Sequence, residues 1–231
     1  MDYRNRTERE ARLARAIARM SAGQRARLFE IMGDPPRLEN VGAEYWNGAF
    51  AEWQGVLTPE LESIFVDSAM AMLEATPAIG VDWDLVNRGA ADWARRYGGE
   101  LVRKIDDTTK QAVRDAVADY YEEGLNLGQL RERLGRWFGP VRADMIATTE
   151  VTRASVEGER EIARELGAQG VRMVEIWQTN NDEMVCPVCG PRHGVVKGEG
   201  TGMAYWTEAD GPPAHPRCRC WINHELRRVT P

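Results

Sequence analysis

The sequence predicts a mainly α protein, with a helical body and a small, irregular α+β Cys/His module that zinc staples at the C-terminal end. Three observations lead to this prediction. Apolar residues recur at helical spacing through most of residues 37–169, glycine and proline become frequent after Gly170, and all four cysteines lie between Cys186 and Cys220. A short segment rich in glycine cannot bury a large apolar core, so we expect a cross-link to hold it in one shape.

Composition and charge set the protein class. The 231 residues are 43% hydrophobic and 29% charged, which is typical of a soluble globular protein. The formal net charge of -6 argues against a protein that mainly coats duplex DNA. Arginines recur through the first 22 residues and no apolar run reaches 18 residues, so we expect neither a signal peptide nor a membrane-spanning segment.

We expect three regions along the chain: a basic amphipathic helix in residues 1–33, a helical domain in residues 37–169 and the Cys/His module with short β-strands in residues 170–231. In the first region, residues 1–28 hold eight arginines and three acidic residues, a net charge of +5. The apolar face carries Leu13, Ile17 and Met20, and the opposite face carries Arg12, Arg15 and Arg19. This arm is either an ordinary solvated helix face or a contact for nucleic acid or an acidic partner.

The helical domain reads as a series of amphipathic helices. The predicted breaks between them fall at Pro59, Thr76-Pro77, Gly98-Gly99, Gly124, Gly139-Pro140 and Gly167. We expect Thr58 to cap a helix whose first residue is Pro59, and Thr108 to cap a later one. Most aromatic residues fall at core-facing helical positions, which favours packing over cofactor binding.

Alternating residues from Val171 to Trp177 predict a short β-strand, followed by a turn at residues 180–182, and His224 is expected in a terminal strand. Between these strands lie the candidate metal ligands: Cys186, Cys189, His215, Cys218 and Cys220. The two-residue gap of the first pair lets both sulfurs face one centre, and thiolates with an imidazole suit tetrahedral zinc. The sequence therefore predicts a structural zinc site, with five candidate ligands for four places.

Other interpretations of these residues stay open. The cysteines are either reduced thiols without metal or partners in a disulfide formed after release from the cell. A catalytic zinc would need a nearby acid and base, for which only Asp182 and Glu183 are at hand. A redox role for the Cys-x-x-Cys turn lacks the surrounding βαβ pattern. His193 is either a spare ligand or an exposed loop residue.

A resemblance to a known family begins at Ile146. The residues that carry it are Ile146-Ala-Thr-Thr-Glu150, Arg153-Ala154, Gly158, Trp177, Asp182, Cys186-x-x-Cys189, Gly194 and Pro212-Pro213-x-His215-Pro216-x-Cys218-Arg219-Cys220. With these residues the chain resembles the Mu F-like phage head morphogenesis family, the minor head proteins of tailed phages. Two positions depart from the family pattern: Thr148, where relatives often carry Arg, and Ser155, where they often carry Asn.

The resemblance implies a protein that is not an enzyme and that joins the procapsid in the host cytoplasm, beside the portal. It implies the portal protein and a capsid or scaffolding protein as partners, a place in the capsid interior of the virion, and help with DNA packaging or ejection through contact with phage DNA. No membrane partner is implied.

Two other functions stay open. A zinc-stapled nuclease of the His-metal-finger type would use His215 or His224 beside a divalent ion. A DNA-binding module would use the arginines of the first helix and those near the C-terminal end: Arg217, Arg219, Arg227 and Arg228.

Overall fold

The computed structural model describes residues 5–75 and 83–226. The helices are α1 (Arg6–Met32), α2 (Ala43–Glu74), α3 (Trp83–Glu122), α4 (Leu127–Phe138) and α5 (Pro140–Ala168), and the strands are β1 (Met173–Gln178) and β2 (Trp221–Leu226). The mainly α fold with a small two-stranded sheet is therefore confirmed. Thr76, Pro77, Arg227 and Arg228, on which predictions were made, lie outside the described residues.

The chain divides into two compact units. One comprises Asn5–Glu60 and Trp93–Ala147, and the described part of the other comprises residues 61–75, 83–92 and 148–226. The limits of both units fall inside α2, α3 and α5. The domain boundaries expected from the sequence stay a prediction.

The unit that contains α1 and α4 packs around buried residues of three helices: Leu28, Met32, Val113, Ala116, Val117, Leu130, Leu134 and Phe138. Helix α4 begins where it does because the Asn126 side chain accepts a hydrogen bond from the Gln129 backbone N–H at 3.0 Å, and the Asn126 backbone N–H donates to the Gln129 side-chain oxygen at 2.9 Å. In α1, Leu13 and Ile17 are buried as expected, while Arg12 forms a 2.8 Å ion pair with Glu60.

The other unit joins α5, from Thr148 onward, to the Cys/His segment. Its helical core contains Ala69, Met72, Val86, Ile162 and Leu166. Strands β1 and β2 are antiparallel, with Trp177 opposite Ile222 and Glu175 opposite His224. The strand predicted for residues 171–177 is β1, which spans Met173–Gln178, and the terminal strand predicted to contain His224 is β2.

Two predicted helix breaks and one predicted helix cap are wrong. Pro59 lies inside α2 rather than at its first position, and Gly98 and Gly99 lie inside α3. Thr108 does not cap a helix, because its hydroxyl donates back to the carbonyls of its own helix at 2.9 Å. Buried apolar residues continue at helical spacing on both sides of each position, and packing of that face outweighs a local penalty of about 1 to 3 kcal/mol.

None of the described helices has a stretch both long enough and apolar enough to cross a membrane.

Candidate metal centre

Two buried tryptophans form the apolar base of the Cys/His segment. The rings of Trp177 in β1 and Trp206 meet edge to face with centroids 5.3 Å apart, and both side chains are fully buried. The indole N–H of Trp206 donates to the Val195 carbonyl at 3.0 Å, which fixes its ring. Three of the cysteines pack in the same cluster: Cys189, Cys218 and Cys220.

The first pair of candidate ligands lies on a tight turn. The backbone N–H groups of Cys189 and Gly190 both donate to the Cys186 carbonyl, at 3.1 and 3.0 Å. The Cys189 N–H also lies 3.4 Å from the Cys186 sulfur. Burial opposes thiolate formation, but hydrogen bonds from the Cys189 backbone and side chain and from the Val188 backbone lower the pKa of the Cys186 thiol below its ordinary value. The turn therefore holds both sulfurs on one side and favours the thiolate that binds metal.

The second group of candidate ligands follows a second turn. The Cys218 N–H donates to the His215 carbonyl at 3.1 Å, and Arg217 between them is left-handed, with φ +63°. The Nδ1 atom of His215 lies 2.8 Å from the Pro216 carbonyl, so this nitrogen carries the proton. The Nε2 lone pair then faces the sulfurs and is available to a metal.

The ligand atoms converge in two groups of three that share Cys189. Cys186, Cys189 and His215 form one group, Cys189, Cys218 and Cys220 form the other, and the atoms within each lie within 4.8 Å of one another. The His215 Nε2 lies 3.1 Å from the Cys186 sulfur and 3.2 Å from the Cys189 sulfur, and the sulfurs of Cys189 and Cys218 are 3.9 Å apart.

These distances can be compared with those of a tetrahedral zinc site. Bonds of about 2.3 Å to sulfur and 2.0 Å to nitrogen place two sulfurs about 3.8 Å apart, and a sulfur and a nitrogen about 3.5 Å apart. The measured separations lie within about half an ångström of these values. The donor types and these three separations therefore fit a metal ion with thiolate and imidazole ligands, although no four of the described ligand atoms lie within 4.8 Å of one another.

The thiols of Cys189, Cys218 and Cys220 shift one another's pKa values. Hydrogen bonds from Cys189 and then Cys220 lower the pKa of the Cys218 thiol, and the bond to Cys218 and then Cys220, together with burial, raises the pKa of Cys189. Three thiols this close cannot all ionise without a cation, because the thiolates repel one another. A divalent ion would replace the shared protons.

The remaining histidines and the disulfide interpretation can be compared with this geometry. All four cysteines are free thiols, and 3.9 Å between the sulfurs of Cys189 and Cys218 far exceeds a disulfide bond of about 2.05 Å. His193 lies outside both groups and accepts a 3.1 Å hydrogen bond from the Thr179 N–H. The His224 side chain is 4% exposed and lies 3.8 Å from Glu159, so a large nucleic-acid substrate does not reach it in this conformation.

The structure adds two residues to which sequence analysis assigned no role. Thr149 and Thr152 of α5 form hydrogen bonds with the backbone of Arg217 and Cys218, at 2.9 and 2.8 Å. Thr149 lies in Ile146-Ala-Thr-Thr-Glu150, a stretch that carries the family resemblance, and this was the one signal in the sequence that could have drawn attention to it. Its partner is 68 residues further along the chain, so helical periodicity does not reveal the contact.

Comparison with known proteins bears directly on this region. Residues 111–223 match the family described as Phage Mu protein F like protein, a range of just under half the chain that contains all five candidate ligands. No curated protein and no solved structure matches the chain. This match confirms the resemblance to the Phage Mu protein F-like family that we inferred from the residues after Ile146.

Proposed function

We propose that this chain is a minor head protein that acts in phage capsid assembly, docks near the portal and catalyses no reaction. The observation that carries the proposal is the family match over residues 111–223. The protein joins the procapsid in the host cytoplasm and stays in the capsid interior of the virion. Its partners are the portal protein and a capsid or scaffolding protein, with phage DNA as a further contact during packaging or ejection.

A structural zinc ion held by four of the five candidate ligands supports this role. The ion would take the place of a larger apolar core under the glycine-rich segment between Cys186 and Cys220, and would keep its loops rigid for docking. Structural zinc contributes on the order of 10 kcal/mol to the folding of such a module, far more than surface ion pairs contribute. The residues would bind and orient the ion, with His215 donating through Nε2.

Metal analysis of the purified protein tests the zinc site. We expect about one zinc ion per chain, and its loss in Cys218→Ser and in His215→Ala. His193→Ala is the matched control, because His193 lies outside both ligand groups and should leave the zinc content unchanged. Cys220→Ser and Cys186→Ser, measured in parallel, identify the fourth ligand. Wild-type protein without bound metal after purification in zinc-containing buffer would refute the zinc site.

Particle analysis tests the assembly role. We expect mass spectrometry of purified procapsids and virions to detect the protein, and chemical cross-linking to connect it to the portal protein. Deletion of its gene should lower the yield of filled heads, and the wild-type gene should restore the yield where the Cys218→Ser gene does not. Absence of the protein from both particles would contradict the proposal.

The same purified variants distinguish the other functions. Divalent-metal-dependent cleavage of plasmid DNA that is lost in His215→Ala and retained in His193→Ala would favour the nuclease. Retention on DNA that falls steeply by about 0.2 M salt would favour DNA binding. We expect neither result.

A further inference from the structure

The peptide groups on both sides of the Cys218 side chain are held in place. The Cys218 N–H donates to the carbonyl of His215, which is another candidate ligand. On the other side, the Thr152 hydroxyl donates to the Cys218 carbonyl at 2.8 Å and shares its proton with the Thr148 carbonyl of its own helix at 3.0 Å. Thr152 is 1% exposed and lies 66 residues away on α5, so a rigid helix fixes the position of this ligand.

A second threonine holds the turn that leads to Cys218. The Arg217 N–H donates to the Thr149 hydroxyl at 2.9 Å. Arg217 adopts a left-handed conformation, with φ +63°, which residues with a side chain rarely take. This hydrogen bond holds the backbone of Arg217 in its left-handed conformation, so Thr149 stabilises a strained residue that lies between His215 and Cys218.

The two hydroxyls act from one side of the same helix. Thr149 and Thr152 are three residues apart on α5, a spacing that places side chains on neighbouring positions of one face. Thr148 shows that burial alone does not produce such a contact, since its hydroxyl is fully buried and forms no hydrogen bond among the described residues. The contacts with the ligand segment therefore belong to Thr149 and Thr152 specifically.

We propose that Thr152, supported by Thr149, is a positioning residue that aims Cys218 at the metal ion. The inference rests on the proposed zinc site. It assigns α5 a role beyond packing: the helix acts as the outer support of the metal centre, as residues that hydrogen-bond to metal ligands do elsewhere.

The test is the zinc affinity of the full chain, measured by competition with a chromophoric chelator. Thr152→Val keeps the side-chain shape but removes the hydroxyl, and we expect its zinc affinity to fall by about 10- to 100-fold. Thr152→Ser keeps the hydroxyl and should restore affinity to within about threefold of wild type. Thr148→Val is the matched control on the same helix and should also stay within that limit.

The visible spectrum of the Co²⁺-loaded protein gives a second measurement. A misplaced Cys218 thiolate should change the thiolate charge-transfer and ligand-field bands of Thr152→Val, and the bands of Thr148→Val should match those of wild type. A general loss of stability without displacement of the ligand would leave the bands of the loaded protein unchanged. That result would overturn the inference.

Two further outcomes distinguish a failure of the role proposed for Thr152 from a failure of the zinc site. Zinc affinity of Thr152→Val within about threefold of wild type would refute the role of Thr152 while leaving the zinc site intact. A wild-type chain that binds neither Zn²⁺ nor Co²⁺ would refute the zinc site and the inference together. If Thr152→Val does not fold, Thr149→Val with Thr149→Ser as its control is measured against the same limits.

Discussion

Replacement of Gly158 by alanine should destabilise the protein, although alanine is the better helix former. A Cβ atom at Gly158 in α5 would lie 2.1 Å from the Phe65 carbonyl oxygen of α2, and 2.9 Å from the carbonyl carbon. Ordinary contact begins at 3.4 Å, so the two helices would have to separate by about 1.3 Å. The obstacle is backbone, which cannot swing away as a long side chain can.

The expected cost follows from two opposing effects. Alanine gains about 1 kcal/mol of helix propensity over glycine, while overpacking of a buried contact costs about 3 kcal/mol or more when backbone must shift. Neighbouring Phe65, Val156 and Ile162 are at most 2% exposed, so the separation also loses their packing. We expect Gly158→Ala to lower the free energy of unfolding by about 2 to 3 kcal/mol, and the melting temperature by about 5 to 10 °C.

Urea and thermal unfolding followed by far-UV circular dichroism measure this effect. Gly167→Ala is the matched control, because Gly167 lies on the same helix and its Cβ would meet nothing within 4 Å. The control should equal the wild type or exceed its stability by up to about 1 kcal/mol. If Gly158→Ala were as stable as Gly167→Ala, the close approach of the two backbones would be disproved.

Three further perturbations test other contacts. Burial lowers the pKa of His224 to about 4, so between pH 6.5 and 4 the unfolded chain binds a proton that the native chain does not bind. The free energy of unfolding should therefore fall by up to about 3 kcal/mol as the pH is lowered from 6.5 to 4. In urea unfolding measured across this pH range, His224→Asn should reduce the fall. Glu175→Gln removes an ion-pair partner that lies 3.1 Å from the buried Arg160, and it should lower the free energy of unfolding by about 2 to 3 kcal/mol. Glu161→Gln, in an exposed ion pair with Arg164, should lower it by less than about 1 kcal/mol in the same assay. Equal losses in the two variants would contradict this reasoning. Asn126→Ala removes the N-cap of α4 and should lower the free energy of unfolding by about 1 kcal/mol, whereas Asn126→Asp should keep most of this stability. An unchanged melting temperature in Asn126→Ala would count against the cap.

Helical periodicity predicted the existence of the helices better than their ends. Helix α5 spans Pro140–Ala168, close to the breaks predicted at Gly139-Pro140 and Gly167, because these local signals agree with its apolar pattern. Pro59 and the pair at Gly98-Gly99 carry equally strong break signals and were misleading. At these positions a continuous buried face outweighs the local preference, and local sequence does not reveal how much area that face buries.

In the candidate metal centre, too, the sequence predicted local features and the fold decided the long-range contacts. The spacing of Cys186 and Cys189 and the cluster from His215 to Cys220 predicted the candidate ligands, because donor type and short-range spacing are local properties of a sequence. Which ligand atoms approach one another depended on two turns that meet from opposite ends of the segment.

From its sequence alone, this chain was determined to be a helical protein with a Cys/His segment at one end and a likeness to phage head proteins. Only the tertiary structure decided that α5 supports that segment through Thr149 and Thr152, and that Gly158 is required for a close helix contact. The physical reason is distance along the chain. Side-chain pattern and ligand spacing repeat within a few residues, whereas these contacts join groups from 66 to 93 residues apart whose approach depends on the packing of the whole unit.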